Sequence, residues 1–439
     1  MVQKYSWGRF NRKCRMSPPA LSTSAPDDLA ARLAAGDAVA ARAAASDLVR
    51  HTPVLTSRSL SEQCGGRILL KAENLQRTGS FKLRGALSKL STLRDARAVV
   101  AGSAGNHAQS LAYAARARGL ECDVYMPEDA SVAKVAAVRG FGGSVHPYGD
   151  SVDVCVERAR EHAAGGDAVF VHPFDDPDVV VGQATLGLEL LEDVPDLGQV
   201  VVPIGGGGLI SGVAGVIKCA RPDVRVVGVQ VDACAPYPAS LEAHHAVRAD
   251  AVATIADGIA IKRPGDLTLP LVERWVDEVV VVREDDVAEA MVRLLERAKL
   301  VVEGAGAVGV AALVTGAVAP VPDRSTVIVL SGGNVDAGVL AIVAQRHETA
   351  AGRRLLIFTR ISDRPGGLAA LLACVAEAGG NLVSVEHVRD AVELHVRQTG
   401  VQLVLETRSG AHAKDIIAAL AEAGYEVERI GGPGTAREV

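Results

Sequence analysis

A lysine follows an aromatic residue and a Gly-Ser turn in the segment Glu73-Asn74-Leu75-Gln76-Arg77-Thr78-Gly79-Ser80-Phe81-Lys82-Leu83-Arg84. The spacing of the apolar residues predicts a helix from Phe81 to Leu90, with Lys82 at its start. Partial burial at such a turn lowers the pKa of a lysine from about 10.4, because the charged form loses its water. An uncharged amine can form a Schiff base with a carbonyl group. The alternative for this segment alone is a solvated lysine on an amphipathic helix.

A run of four glycines, residues 205–208, stands between a predicted strand, Gln199–Ile204, and a predicted helix, Leu209–Ala220. Glycines let the backbone wrap around an anion, and a helix N-terminus directs unpaired N–H groups and a positive dipole at it. The run lacks the Lys-Ser/Thr of a Walker A loop and the G-x-G-x-x-G spacing of a dinucleotide site. It therefore predicts a phosphate-binding loop, with a flexible turn as the alternative.

Two further loops follow predicted strands. The segment 103–107, Ser-Ala-Gly-Asn-His, comes after the strand Ala98–Ala101 and opens a helix, for which Ser103 is the predicted N-cap. The N–H groups of this helix start suit a carboxylate, and the alternative is a capped helix with a core histidine. The segment 331–334, Ser-Gly-Gly-Asn, ends the strand Thr326–Leu330, and taken alone it is an ordinary loop.

The order of these motifs resembles that of the threonine dehydratases, which belong to the tryptophan synthase β-like (fold type II) enzymes that use pyridoxal phosphate. The resemblance implies pyridoxal 5'-phosphate as the cofactor and Lys82 as the catalytic lysine that forms its Schiff base. It also implies a set of cofactor-binding residues: Phe81 against the ring, Asn106 beside the ring oxygen, Gly205, Gly206, Gly207, Gly208 and Leu209 around the phosphate, Ser331 at the pyridine nitrogen, and Gly258 and Glu303 near the ring.

By the same resemblance, the substrate binds at Ser103, Ala104, Gly105, Asn106 and His107. In the similar serine racemases, a serine stands at the position of Ala104 and acts as a second acid/base on the opposite face of the substrate. Alanine carries no proton, so elimination is favoured over racemisation. The resemblance would also place a divalent-cation carboxylate at Gln230. An amide is a poor ligand for a hard cation and Asp232 alone would not restore the site, so no metal is expected.

The layout of strands and helices predicts the domain organisation. Short apolar strands alternate with helical patterns from about residue 66 to 345, which indicates an α/β fold with parallel sheets covered on both faces. The resemblance makes 26–345 a two-domain catalytic region, with a smaller subdomain of about 97–175 inserted in the larger. The polar segment 346–353 is predicted to be a linker. Residues 354–430 show the βαββαβ order of a ferredoxin-like unit and, with Asp-Arg-Pro-Gly-Gly-Leu at 363–368, resemble an ACT domain, a module that binds amino acids.

The bulk composition excludes several classes of function. A net charge of −6 and only 3% aromatic residues argue against a nucleic-acid-binding surface. Seven scattered cysteines without a C-x-x-C pattern favour the reducing cytoplasm over a disulfide framework or a zinc site. Residues 1–25 are predicted to be a disordered basic tail. The uncharged stretch 304–322 is mostly Gly, Ala and Val, which predicts a buried core helix and no membrane span.

The sequence thus predicts a cytoplasmic lyase that converts L-threonine, and also L-serine, to 2-oxobutanoate or pyruvate with release of ammonia. The ACT part predicts control by an amino acid, with isoleucine or valine as candidates, or else only assembly into a homodimer or homotetramer. Three alternatives remain for the catalytic part. They are another fold type II reaction (serine racemase, threonine synthase or a dehydratase of a different 3-hydroxy amino acid), a nicotinamide-dependent oxidoreductase that uses the glycine run and Asp232, and a non-catalytic amino-acid sensor.

Overall fold

The computed structural model describes residues 25–166, 168–250, 252–388 and 397–430. The chain divides into two compact units, one ending at Asp336 and the other beginning at Ala337. The basic tail predicted for residues 1–25 lies outside the described residues except for Ala25. The segment 346–353, predicted as a linker, falls inside the second unit and contains the last turn of a helix that ends at Ala350.

The first unit contains two sheets and the helices that cover them. Its strands are β1 (Val54–Thr56), β2 (Arg67–Ala72), β3 (Ala98–Gly102), β4 (Glu121–Met126), β5 (Ser144–Pro147), β6 (Val169–Phe170), β7 (Leu197–Pro203), β8 (Arg225–Val231), β9 (Glu278–Val282) and β10 (Ser325–Leu330). Its helices are α1 (Ala25–Ala35), α2 (Asp37–Ala44), α3 (Arg58–Cys64), α4 (Lys82–Thr92), α5 (Asn106–Arg118), α6 (Val132–Gly140), α7 (Val152–Ala164), α8 (Pro177–Asp193), α9 (Gly208–Ala220), α10 (Pro236–Ala243), α11 (Thr268–Trp275), α12 (Glu284–Arg293) and α13 (Gly304–Val314).

Both sheets are built mainly from parallel strands. The larger has the order β1-β2-β10-β7-β8-β9, in which β1 is antiparallel to β2 and the other described pairs are parallel. The smaller has the order β5-β4-β3-β6 and is parallel throughout. Strands β7 and β10 are buried along their whole length, because helices cover both faces. These sheets confirm the predicted α/β class.

Two of the hydrophobic clusters in the first unit pack its helices against the sheets. One packs α8 and α9 against β7 of the larger sheet, and the other packs α4 and α5 against β3 and β4 of the smaller. Helix α13 is buried from Gly304 to Leu313, which confirms the core helix predicted in this stretch. Within the described ranges, no helix has the length and apolar character that a membrane crossing requires.

A buried cluster of four charges fixes the start of α4. Arg84 donates to Glu73 at 2.8 Å and to Glu189 at 2.7 Å, and Lys71 lies 2.7 Å from Glu189. Burial works against the charge of Glu189, but Arg84 and Lys71 outweigh it and hold the pKa of that carboxyl below its usual range. The cluster joins β2, α4 and α8, so the first turn of α4, which carries Lys82, has little freedom to move.

The second unit is a small antiparallel sheet with helices. Its elements are α14 (Ala337–Ala350), β11 (Arg354–Ser362), α15 (Gly367–Glu377), β12 (Asn381–Val388), β13 (Gln398–Glu406), α16 (Gly410–Glu422) and β14 (Val427–Arg429). The strand order β12-β13-β11-β14 is that of the predicted ferredoxin-like βαββαβ fold. Gly379 and Gly424 follow α15 and α16 with φ of 78° and 89°, the left-handed conformation that ends a helix.

Candidate active site

Lys82 is the first residue of α4, and Phe81 is its N-cap. The amine Nζ donates a 2.8 Å hydrogen bond to the carbonyl oxygen of Pro173 and lies 5.2 Å from the centroid of the Phe81 ring. The side chain keeps some contact with solvent, but protein atoms surround the amine closely. This burial lowers the pKa of Lys82 to about 8, and the charge of Glu303 opposes part of the effect. A fraction of the amine is therefore uncharged near neutral pH.

The lysine motif is joined to the loop after β10. The backbone N–H of Phe81 donates to the carbonyl of Ser331 at 3.0 Å, and the N–H of Gly333 donates to the carbonyl of Gly79 at 2.9 Å. Ser331 itself is only 3% exposed. Two motifs that lie about 250 residues apart in the sequence are thus held side by side by backbone hydrogen bonds.

A polar cluster surrounds the carboxyl of Glu303. Asn106 donates to Glu303 Oε1 at 2.7 Å, and Asn334 donates to Asn106 Oδ1 at 2.7 Å. A Cβ built on Gly258 would lie 3.6 Å from the same carboxyl oxygen. Burial, followed by the charge of Asp257, raises the pKa of Glu303 to about 7, although the hydrogen bond from Asn106 lowers it. Glu303 therefore carries a proton in part of the molecules near neutral pH.

The glycine loop, residues 205–208, joins β7 to α9. Among the described residues, the amides of residues 205–210 donate to no carbonyl or side chain. A Cβ on Gly206 would lie 2.3 Å from the ring of Phe174, and one on Gly207, whose φ is 98°, would lie 2.1 Å from the hydroxyl of Tyr237. Close packing on one side of the loop thus requires glycine, and the unpaired amides are left for a ligand. Leu209 follows as a buried residue of α9.

The loop 103–107 joins β3 to α5. Ser103 is not the N-cap that the sequence predicted: α5 begins at Asn106 after Gly105, because the hydroxyl of Ser103 accepts the N–H of Gly105 at 3.3 Å instead. In the described part of the chain, the amides of Ala104 and of residues 106–108 find no acceptor. No atom lies within 4 Å of a Cβ built on Gly105, so the loop is open on that side.

His107 belongs to this loop by sequence, but its side chain is 4% exposed. The ring nitrogen Nε2 lies 2.9 Å from the carbonyl of Val171. Burial, together with the charge of Lys82, lowers the pKa of His107 to about 3, so the imidazole is neutral and donates through Nε2. Only the backbone of His107 is left to meet a ligand at the loop.

Sequence reasoning missed the 172–175 turn, which connects β6 to α8. The carbonyl of Pro173 accepts from Lys82, and the ring of Phe174 packs on the glycine loop. The carboxyl of Asp175 accepts three backbone N–H groups, from residues 266–268. The turn therefore brings Lys82 and the glycine loop together. Its sequence, His-Pro-Phe-Asp directly after a predicted strand, carries polar and proline residues that mark a loop but do not reveal these contacts.

Gln230 and Asp232, at the end of β8, have structural partners. The buried amide of Gln230 accepts the N–H of Tyr237 at 2.9 Å and donates to the carbonyl of Ile204 at 3.3 Å. Asp232 accepts the N–H of Glu284 at 3.2 Å, at the start of α12. Asp232 thus contacts the start of α12, a structural role that gives no support to a ribose ligand or to the nicotinamide-dependent alternative.

The residues fit a phosphate-bearing aldehyde cofactor. The unpaired amides of the glycine loop stand at the N-terminus of α9 and suit a phosphate group. A second set of unpaired amides at the start of α5 suits a carboxylate. The partly neutral amine of Lys82 contacts the turn that packs on the glycine loop. The amine is a partner for the carbonyl group of such a molecule, and the glycine loop is a partner for its phosphate group.

Replacing His107 with glutamine is predicted to flatten the acid dependence of stability. The folded-state pKa of about 3 lies below the ordinary value of about 6.5, so between these pH values only the unfolded chain binds the proton. The contribution of neutral His107 to the free energy of unfolding is complete above about pH 6.5. It is lost as the pH falls toward 3, by about 1.4 kcal/mol per pH unit. Urea unfolding between about pH 4 and 6.5 measures this slope.

The matched control for this prediction is His245→Gln, which changes an exposed histidine. It is expected to keep the slope of the unchanged protein. A His107→Gln protein with that same slope would show that the buried imidazole binds its proton as readily as it does in the unfolded chain.

Comparison with known proteins gives the family. A family model described as pyridoxal-phosphate dependent enzyme matches residues 45–332. The L-threonine ammonia-lyase of Thermotoga maritima is 46% identical over 387 residues, 88% of this chain and 96% of that protein. The crystal structure of a threonine deaminase from T.th. matches with a TM-score of 0.65 at 41% identity, covering 68% of this chain and 98% of that one. Maize serine racemase matches with a TM-score of 0.67 at 34% identity, covering 71% and 96%. The chain therefore belongs to the pyridoxal-phosphate dependent enzymes of this family.

Proposed function

We propose that the protein converts L-threonine to 2-oxobutanoate and ammonia, and L-serine to pyruvate and ammonia. The observation that carries this proposal is the half-buried amine of Lys82, whose pKa is lowered to about 8, beside two loops with unpaired amides. The substrate follows from similarity, because a relative named L-threonine ammonia-lyase is 46% identical over nearly its whole length.

The cofactor-binding residues come from six segments of the first unit. The amides of the glycine loop and of Leu209 would hold the phosphate, and Lys82 would hold the aldehyde carbon. The residues that would surround the ring are Phe81, Asn106, Gly258, Glu303 and Ser331. When bound, pyridoxal phosphate supplies an electron sink for the charge left at Cα. A serine hydroxyl at the pyridine nitrogen is a weaker partner than a carboxylate, which suits expulsion of a β-substituent.

Lys82 is the group that moves the proton. Its freed amine accepts the Cα proton of the substrate at Nζ, which requires the neutral form. A pKa of about 8 keeps a useful fraction neutral near physiological pH and still leaves an amine basic enough to hold the proton. The Cβ–OH bond then breaks. Water is lost, and the resulting enamine or imine is then hydrolysed. The overall reaction is balanced, because threonine gives 2-oxobutanoate plus ammonia.

The loop 103–107 is proposed to bind the substrate carboxylate. Its unpaired amides at Ala104 and at the start of α5 are the donors. Ala104 offers no second acid/base, so a proton is not returned to the opposite face of Cα. This favours elimination, although the fold similarity to maize serine racemase makes racemisation the second candidate.

The proposed reaction is tested by product analysis with L-threonine, L-serine and 3-hydroxyaspartate. We expect 2-oxobutanoate from threonine and pyruvate from serine, and a loss of at least about 1,000-fold in turnover for Lys82→Ala because the proton-transfer group is gone. Lys414→Ala, which removes an exposed lysine of the second unit, is expected to retain full turnover. D-Serine as the main product from L-serine, or unchanged turnover in Lys82→Ala, would contradict the proposal.

Gly207→Ala is predicted to weaken cofactor binding by at least about tenfold, a loss of about 1.4 kcal/mol. The new Cβ would lie 2.1 Å from the Tyr237 hydroxyl and 2.8 Å from Thr268 Oγ1, and the backbone φ of 98° disfavours any side chain. Gly119→Ala is the control, since φ is 70° there and nothing lies within 4 Å. Absorbance titration with pyridoxal phosphate measures both dissociation constants; equal values for the two variants would show that the clash does not disturb the loop.

We also propose that the second unit is an ACT-type domain that binds a branched-chain amino acid and pairs with a second copy to give a dimer or tetramer. Its ferredoxin-like strand order supports this, and so does the 387-residue match, which is too long to fit within the first 336 residues. Strand β12 stands at the edge of its sheet and exposes Leu382, Val383 and Val385. Such an apolar edge is normally covered.

Removal of residues 337–439 tests the regulatory proposal. With the full chain, isoleucine or valine is expected to change the rate of threonine turnover by about 5- to 150-fold at saturating effector, the usual size of coupling between sites. The shortened protein is expected to lose this response and to keep its own rate in the absence of effector. A response that survives the removal would place the effector site in the first unit.

A further inference from the structure

We propose that His172 is a positioning residue for the amine of Lys82, because its neutral imidazole fixes the turn that presents the carbonyl of Pro173 to Nζ. The same ring supports Phe174 against the glycine loop. This inference rests on the proposed function only in taking Lys82 as the reacting lysine. The contacts themselves are made within the protein chain.

The imidazole of His172 closes the turn through one ring nitrogen. Its Nδ1 accepts the backbone N–H of Asp175 at 2.7 Å and that of Phe174 at 3.3 Å. A ring nitrogen that accepts hydrogen bonds carries no proton, so the proton of the neutral ring is on Nε2. These two bonds span Pro173, which has no N–H of its own, and hold its carbonyl where Lys82 donates at 2.8 Å.

The ring of His172 also makes an aromatic contact, which is separate from its role as a hydrogen-bond acceptor. It meets the ring of Phe174 edge-on, with centroids 4.6 Å apart and an interplanar angle of 84°, a favourable aromatic geometry. The ring of Phe174 in turn packs so closely on Gly206 that a Cβ built there would lie 2.3 Å from the ring. One imidazole thus supports both the carbonyl that meets Lys82 and the ring that packs on the glycine loop.

The surroundings of His172 keep it uncharged. Burial lowers its pKa to about 3, and the positive charges of Arg160 and Lys82 act in the same direction, as would a charge on His107. His107 is itself neutral, and Glu303 is the carboxyl that favours the charged form of Lys82. At neutral pH the imidazole therefore remains an acceptor and does not compete with Lys82 for a proton.

The far end of the turn is fixed independently. Asp175 accepts the N–H groups of Asp266, Leu267 and Thr268 at 3.0 to 3.2 Å, next to the start of α11. With that end held, the orientation of the Pro173 carbonyl depends on the bonds to His172. The carbonyl stabilises the charged amine more than the neutral one, so it partly offsets the desolvation of Lys82 and gives the free amine a fixed place.

The test measures the pKa of Lys82 in the full-length protein after cofactor removal. The rate of Lys82 acetylation by acetic anhydride is followed against pH by peptide mass spectrometry. His172→Phe keeps an aromatic ring and removes the acceptor, and it is expected to lower the pKa of Lys82 by about one unit, as loss of a hydrogen bond to a charged group requires. His172→Asn keeps an acceptor oxygen near Nδ1 and is expected to stay within about 0.3 unit of the unchanged protein.

A wild-type pKa in His172→Phe, or an equal fall in both variants, would overturn the proposal. A second measurement needs no variant: nitrogen-15 NMR of the unchanged protein is expected to show His172 neutral, with its proton on Nε2, from about pH 5 to 8. A proton on Nδ1 would overturn the proposal even if a variant does not fold. Both readouts are made without substrate, so a wrong reaction assignment would leave them unchanged and would appear only in the product analysis.

Discussion

Burial of one amine is the constraint on which the rest of this structure depends. For its proposed role, Lys82 must lose enough water to become a nucleophile, yet its position must not relax toward solvent. The pKa of about 8 is the balance between desolvation, which favours the neutral form, and Glu303, which favours the charged one. The position is set by backbone hydrogen bonds to the loop after β10 and by the buried charges around Arg84, two residues further along the same helix. Replacing a whole buried ion cluster with apolar residues is often neutral for stability, whereas removing one partner costs about 3–5 kcal/mol. The cluster around Arg84 is therefore held in its intact geometry, and this geometry helps to set the position of Lys82.

In the proposed reaction, the two sheets of the first unit divide the recognition of anions between them. In each, a strand ends in a loop in which several amides find no acceptor among the described residues, and a helix follows: β7, the glycine loop and α9 in the larger sheet, and β3, residues 103–107 and α5 in the smaller. Ligand sites outside the carboxyl ends of parallel strands are the rule in α/β folds. In the proposed reaction, the larger sheet holds the cofactor phosphate and the smaller holds the substrate carboxylate. Asn106 at the start of α5, bonded to Glu303 before α13, connects the two.

Local patterns predicted much of the fold, and contacts distant in sequence account for what they missed. The predicted strand Thr326–Leu330 and the predicted helix Leu209–Ala220 each differ from the observed element by one residue at the start, because each is an apolar run with clear boundaries. The sequence pattern does not predict α8, which is buried continuously from Val179 to Leu190 and so shows no amphipathic period, nor β1, which has only three residues. The N-cap at Ser103 was wrong because its hydroxyl bonds within the loop. The contact of Lys82 with Pro173 joins residues 91 positions apart, and no spacing rule reveals it.

Borohydride reduction of the enzyme loaded with pyridoxal phosphate, followed by peptide mapping, tests whether Lys82 is the lysine that forms the imine. A single reduced adduct is expected, on the peptide that contains Lys82, together with loss of the visible absorption of the imine. A reduced adduct on a different lysine, or none on a protein that still turns over threonine, would contradict the assignment of Lys82.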